Sequence, residues 1–338
     1  MAEFWEKGWR YRVFRRYVDW CTGHAYSELK VEGSIPDDGR AVLIAPNHSN
    51  ALMDALVVLR SCPDVCAFGA RADIFKKPLL AKFFTFLRIL PIARRRDGLR
   101  EVAKNLEVMP KIHAVLHHHV PFCLFPEGRQ RAMYSLLPIH KGMVRIAVKN
   151  AIDQPTWIVP AGINHSDFFH LRARCTLKYG EPIDVNRFVE EHKGMLKSDL
   201  YEAMSAELSK RIKELILYIP DDEHYEERLA ELRPPKPMRW WQIPLAVLTL
   251  PFFILSALLS LPLWLTAELF CKYKLEEKAF CNSFRYGFYL FGMPVLFIIW
   301  AVLAFIFLPW WAALLMLVLY VYSFWIFYSW LGLLHRPA

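Results

Sequence analysis

A histidine and a carboxylate stand close together in Ala45-Pro46-Asn47-His48-Ser49-Asn50-Ala51-Leu52-Met53-Asp54, directly behind the apolar run Ala41 to Ile44. An imidazole acts as a base near neutral pH when a carboxylate holds one ring nitrogen protonated and leaves the other aimed at the reacting atom. Asp54 is the nearest carboxylate able to do this for His48. The alternative is a loop histidine and a helix-start aspartate that never touch. Ala41 to Ile44 reads as a short buried strand, which Pro46 and Asn47 end, so His48 falls on the turn beyond it.

Three further stretches carry groups suited to the same edge. In Leu90-Pro91-Ile92-Ala93-Arg94-Arg95-Arg96-Asp97-Gly98 a strand runs into consecutive arginines, whose forked guanidinium groups bind phosphate in a bidentate way. Charge runs are more often simply solvated, and only one or two of Arg94, Arg95 and Arg96 can point into one pocket. In Leu124-Phe125-Pro126-Glu127-Gly128-Arg129-Gln130-Arg131 a buried strand ends at Phe125 and Gly128 permits a tight turn whose amides face a ligand. Glu127 there can accept a substrate hydroxyl or orient an arginine, while Arg129, Arg131 and Lys141 add positive charge. In Ile158-Val159-Pro160-Ala161-Gly162-Ile163-Asn164-His165 another strand reaches a Pro and Gly pair, which suits close approach of backbone to a ligand.

Taken in order, Asn-His followed by Asp, an arginine after Leu-Pro-Ile, Phe-Pro-Glu-Gly, and Val-Pro-Ala-Gly resemble the four blocks of the glycerol-phosphate and lysophosphatidate acyltransferase family, over residues 24 to 218. The resemblance implies that His48 is the base and Asp54 its partner. It implies that Arg94, Arg95 or Arg96, with Glu127, Gly128 and Arg129, bind the glycerol phosphate. Asn47, Pro160 and Gly162 would shape the acyl or substrate pocket. The implied reaction is transfer of a fatty acyl group from a thioester, acyl-CoA or acyl carrier protein, to a hydroxyl of a glycerol-phosphate or lysophospholipid acceptor, with no cofactor and no metal. Five residues separate His48 from Asp54 where the family usually has four, so the loop must bulge by one residue. Relatives resembling glycerol-3-phosphate acyltransferases share that spacing. Arg129 stands where threonine is common, which adds a cation and leaves the acceptor open between lysophosphatidate, glycerol 3-phosphate and another lysolipid.

These motifs need a scaffold, and strands alternate with helices from 24 to 180. Strands are expected near 25–32, 41–45, 65–69, 88–92, 120–125, 157–163 and 174–179, and helices near 51–60, 76–87, 99–117 and 141–150. The pattern predicts an α/β fold, a mixed, largely parallel sheet flanked by helices, with ligands outside the carboxyl ends of the strands. The aromatic helix at 77–87 either packs in the core, walls an apolar channel or dips toward lipid.

Hydrophobic residues make up 55% of the 338, above the soluble norm of about 45–50%, and the excess lies after residue 240. The division expected is an amphipathic interfacial helix at 1–22, an acyltransferase domain at 23–218, a charged and proline-rich linker at 219–240, and a transmembrane region of two to three spans at 241–338. Ile243 to Ala267 would form one span, kinked or made re-entrant by Pro244, Pro251 and Pro262. Tyr286 to Leu334 would form two, broken near Pro309. Trp5, Trp9, Val13, Tyr17 and Trp20 recur at helical spacing with arginines elsewhere around the helix, which fits a helix in the head-group layer. Packing on the protein's own membrane segments is the alternative.

The net charge of +9 suits anionic lipid head groups or phosphorylated substrates. Arginine-rich turns interrupting apolar strands, with no basic recognition helix or stacking motif, exclude nucleic acid as the partner. A catalytically inactive lipid-binding scaffold is the competing class, against which His48, Asp54 and Glu127 all being present argues. Seven scattered cysteines suit reduced thiols, and neither Cys62 with Cys66 nor His117, His118 and His119 has the spacing of a metal site. The expected location is an integral membrane protein with its catalytic domain on the cytoplasmic face, of a bacterial inner membrane or the endoplasmic reticulum, so the Asn-x-Ser sequons at Asn47 and Asn164 are accidental.

Overall fold

The strand β2, Ala41–Pro46, is apolar on both faces, and that decides its place at the centre of the molecule. Ala41, Leu43 and Ala45 pack into one apolar cluster while Val42 and Ile44 pack into another, so helices must cover the sheet on both sides. The computed structural model describes residues 4–6, 8–62, 64–93, 103, 105–232 and 239–334. Arg94, Arg95 and Arg96 lie outside the described residues.

The sheet contains β1 Glu28–Glu32, β2, β3 Ala67–Arg71, β4 Ile89–Ile92, β5 Phe122–Cys123, β6 Thr156–His165, β7 Arg174–Tyr179 and β8 Ile183–Asp184, in the order β1-β7-β6-β2-β5-β3-β4 with β8 on β6. β6, β2, β5, β3 and β4 run parallel, and β7 and β8 pair antiparallel with β6. The mixed, largely parallel α/β sheet is thus as expected. The carboxyl ends of β2, β5, β3 and β4 lie side by side, and the His48 and Phe-Pro-Glu-Gly motifs follow β2 and β5 at that edge. Pro160, which has no N–H for a ladder, sits where β6 passes from its pairing with β8 to its pairing with β7.

Helix α1, Trp9–Ala25, and helix α2, Ala51–Ser61, lie on one face. The buried Arg15 of α1 donates to the carbonyls of Leu59, Cys62 (2.9 Å) and Asp64 (2.7 Å), which ties α1 to the end of α2. Arg15 is therefore a structural tie and not a head-group contact. Trp9 and Val13 are exposed, whereas Trp20 packs on Tyr289 and Tyr322, so the aromatic stripe divides between the surface and the C-terminal apolar helices. Helix α3, Pro78–Phe86, has no buried residue. The other face is covered by α4 Asn105–His117, α5 Gly142–Asn150, α6 Val185–Glu191 and α7 Lys197–Leu215. The stretch read as a linker holds a further helix, α8 Tyr225–Leu232, and the Tyr225 hydroxyl accepts from the Tyr134 N–H at 2.9 Å. Charged composition concealed a segment docked on the domain.

Four apolar helices follow: α9 Gln242–Leu259, α10 Leu261–Tyr273, α11 Cys281–Phe307 and α12 Trp310–Leu334. Three stretches among them, 242–259, 278–307 and 310–333, are long and apolar enough to cross a membrane. The chain breaks at Ser260, before Pro262, and again at Pro309, while Pro251 and Pro294 stay inside helices.

Candidate active site

Asp54 is fully buried and takes four hydrogen bonds. Its Oδ2 accepts from His48 Nδ1 at 2.9 Å and from the backbone N–H groups of Ser49 at 2.8 Å and Asn50 at 2.7 Å. Its Oδ1 meets Nε2 of His165 at 2.7 Å. The first-turn position of Asp54 on α2 brings the carboxylate back over the preceding turn. The extra residue of the loop is absorbed at Ala51, whose φ of +45° lies in the left-handed region, at a cost of roughly 1–2 kcal/mol for a residue with a Cβ. Burial opposes the charge on Asp54, but the donors from His165 and His48 hold its carboxyl well below the usual range.

The His48 ring stacks on Phe125, with centroids 4.0 Å apart, and its Nε2 has no hydrogen-bonding partner among the described residues. Its backbone is held from both sides by the Phe-Pro-Glu-Gly segment. Glu127 accepts from the His48 N–H at 2.6 Å and from the Leu137 N–H at 2.7 Å, and the Arg131 N–H donates to the His48 carbonyl at 3.0 Å. Both carboxylate oxygens of Glu127 are thus occupied by backbone, at 3% exposure, so this residue fixes the His48 backbone instead of facing a ligand. Burial, only partly offset by those two N–H groups, raises its carboxyl to about 7. Gly128 turns at φ +66°, and a Cβ there would lie 2.8 Å from the ring of His140, so only glycine fits.

His48 and Gly128 sit on the rim of a cavity of about 680 Å³, together with Arg71, Arg129 and Gln130. Its lining is mostly apolar, drawn from α1, α2, α3, α11 and strands β3 and β4, with Arg15 and Glu277 among it. Arg129 therefore lines the same cavity as His48, while Arg131 pairs with Asp221 and Lys141 with Glu202 at 3.0 Å, and neither lines it. Arg71 was missed because the strand was expected to stop at Gly69. β3 runs two residues further, carrying Arg71 to the rim, where it pairs with Asp73.

Asn47, Pro160 and Gly162 do not line the cavity. Asn47 is buried and ties β2 to β6 through both the N–H and the carbonyl of Ile163. A Cβ on Gly162 would lie 2.6 Å from Leu215, so its close approach is to α7 and not to a ligand.

His165 is the residue the motifs did not single out. It is 2% exposed, stacks near Tyr26, and ends the long strand β6. Burial works against its charged form, but Cys175, its register partner on β7, and Asp54 raise its pKa to about 10. A polar Asn-His pair ending an apolar strand was the available signal. Among the described residues no group of three His, Cys, Asp or Glu side chains is placed to hold a metal, and His118 instead stacks on Trp5 at 4.0 Å.

This arrangement can take a proton from a hydroxyl at Nε2 of His48 while an apolar chain lies in the cavity behind it. Residues 28–164 match the family model described as Acyltransferase. A 1-acyl-sn-glycerol-3-phosphate acyltransferase of Cocos nucifera is 26% identical over 186 residues, 53% of this chain and 56% of the relative. Glycerol-3-phosphate O-acyltransferase 2 of Saccharomyces cerevisiae is 33% identical over 113 residues, 32% of this chain and 15% of the relative. The crystal structure of the 1-acyl-sn-glycerophosphate (LPA) acyltransferase PlsC from Thermotoga maritima aligns with a TM-score of 0.44 and 23% identity, covering 61% of this chain and 79% of that chain. The chain spans about half the length of the plant relatives it matches.

Proposed function

An acyltransferase domain of the glycerol-phosphate and lysophosphatidate acyltransferase family is the premise from which we propose a membrane-bound O-acyltransferase acting on 1-acylglycerol 3-phosphate to give phosphatidate. The observation that carries this reading is an imidazole held by a buried carboxylate at the rim of a deep apolar cavity. His48 Nε2 takes the proton from the acceptor hydroxyl as that oxygen bonds to the thioester carbonyl carbon. The carbon–sulfur bond then breaks, and the imidazolium returns the proton to the departing thiolate of acyl-CoA or acyl carrier protein. No acyl-enzyme and no cofactor are needed. Arg71 and Arg129 supply positive charge for the acceptor phosphate on the same rim, and Arg94, Arg95 and Arg96 are assigned to that phosphate as well. The domain works on the cytoplasmic face, where thioester donors are made.

A second acceptor, glycerol 3-phosphate, is favoured by one specific observation, the five-residue spacing from His48 to Asp54. The deciding experiment gives the full chain, in detergent, a labelled acyl thioester with each acceptor in turn. His48→Ala should lower turnover by about 10²–10⁴-fold with the fold retained, at some cost in stability because the ring stacks on Phe125 and donates to Asp54. Retention of more than a few per cent of activity removes His48 from the mechanism.

A further inference from the structure

One wall of the cavity is formed by α11, a helix long and apolar enough to cross a membrane. Tyr286, Gly287, Leu290 and Phe291 line it, spaced by three, four and five along one face. Opposite them stand Phe14 of α1 and Phe83 of α3, and the Phe83 ring lies 6.3 Å from Phe14 and 6.0 Å from Phe291. Three elements far apart in sequence thus meet around a single apolar space.

The wall is fastened to the domain. Pro294 has no N–H, so the carbonyl of Leu290 loses its helical donor, and the Tyr17 hydroxyl donates to it at 2.9 Å. The Tyr286 hydroxyl donates to the Val18 carbonyl at 3.1 Å and lies 3.0 Å from Thr22 Oγ1. The Leu52 N–H donates to Ser283 Oγ at 3.2 Å, and Asn282 donates to the Phe168 carbonyl at 3.0 Å. These bonds hold α11 in one register against α1 and α2. A wall fixed in this way can measure a ligand, which a membrane anchor alone would not require.

Gly287 is the place where it would measure. A Cβ built there meets no atom within 4 Å, whereas on the same helix a Cβ at Gly292 would lie 2.5 Å from Leu263. The first glycine opens space and the second closes a helix contact. We propose that α11 forms the far wall of the acyl-donor site and that the missing side chain at Gly287 sets the length of acyl chain accepted. The occupant is the donor's chain, because its reacting carbonyl must lie at His48 and the cavity begins there. An acceptor's tail is separated from the reacting hydroxyl by its glycerol. The inference rests on the acyl-transfer reading above.

The test measures kcat/KM of the full chain with palmitoyl and decanoyl thioesters at a fixed acceptor. Each methylene that loses its contact is worth about fourfold. Gly287→Ala should lower the palmitoyl to decanoyl ratio by a few fold and Gly287→Leu by about tenfold or more. Leu290→Ala, which deepens the space, should raise the ratio. Gly332→Leu, in α12 away from the cavity but equally uncrowded, should leave it unchanged. An unchanged ratio in active Gly287→Ala and Leu290→Ala proteins overturns the inference while leaving acyl transfer intact. A shift found only when the acceptor's own chain is varied assigns the cavity to the acceptor and overturns it too. A parent protein that transfers from no thioester refutes the underlying reading, and the inference with it.

Discussion

The two faces of the sheet are closed by different means. On one, Ile112, Leu116, Met143, Ile146, Leu208 and Ile212 of α4, α5 and α7 cover Leu43, Phe122 and Ile158, and the layer is complete within the domain. On the other, Val42, Ile44, Val159 and Ile163 pack with α1 and α2 into a cluster that continues through Tyr286, Tyr289 and Met293 of α11 to Tyr320, Phe324 and Trp325 of α12. That second face has no boundary between domain core and membrane helices. Asp54 lies in the first turn of α2 on this face with His48 just before that helix, and Val18, Leu56, Phe68, Tyr286 and Leu290 of the cavity lining belong to its cluster. The difference teaches that α11 and α12 complete the layer that holds His48 and Asp54, a packing that a tether alone would not need.

The comparison is broken most directly by cutting the chain after Leu232. The far face keeps every element that covers it, so α4 to α7 should remain resistant to protease. The membrane-side face loses six of the ten apolar residues named above, together with the cavity wall. Acyl transfer should fall at least about a hundredfold even when a foreign membrane anchor is appended, because displacing groups around a site by an ångström already costs that much. Activity within tenfold of the parent would reduce α9 to α12 to a tether.

A smaller change probes the layer from inside. His165 and His48 share Asp54, one buried and one at the rim, and only the buried ring fixes the carboxylate from behind. His165→Leu leaves Oδ1 without its donor, which should cost about 2 kcal/mol of stability and lower kcat about tenfold with KM unchanged. His165→Gln retains an N–H donor and should recover most of kcat. A Leu variant with full kcat would show that His165 merely packs against Tyr26.

What could be read in the sequence was local. β2 is apolar at every position and ends at Pro46, so the place of His48 followed, and the five-residue spacing predicted the bulge found at Ala51. The break at Pro309 followed from a ring that cannot continue a helix. What escaped was decided by distant partners. His165 reaches Asp54 across 111 residues of sequence, and Arg15 is buried because the end of α2 presents it with carbonyls. Glu127 was expected at the ligand, yet two backbone N–H groups had already claimed it. Gly69 looked like the end of a strand, whereas it is glycine because Leu124 would lie 2.7 Å from a Cβ. The charged run around α8 looked solvated until Tyr225 met Tyr134.

The gentlest test concerns the seam between the two faces. Glu127 joins the His48 backbone, on the membrane-side face, to Leu137, whose neighbour Leu136 packs on the far one. Burial raises its carboxyl from about 4.5 to about 7, so between those values the folded protein keeps a proton that the unfolded chain has released. This group's stabilisation is therefore complete below about pH 4.5, declines as pH rises, and is lost once pH passes about 7. Glu127→Gln cannot titrate. The difference in Tm, parent minus variant, should fall steadily from pH 5 to pH 7 and then level off, at about 2–4 °C for each kcal/mol. Above pH 7 the carboxylate holds both N–H groups by charge-assisted bonds, so the base is most firmly clamped where the fold gains least from Glu127. A Tm difference that rose with pH over this window would mean that the two backbone donors outweigh burial, and that the seam is an ionic clamp at all working pH values.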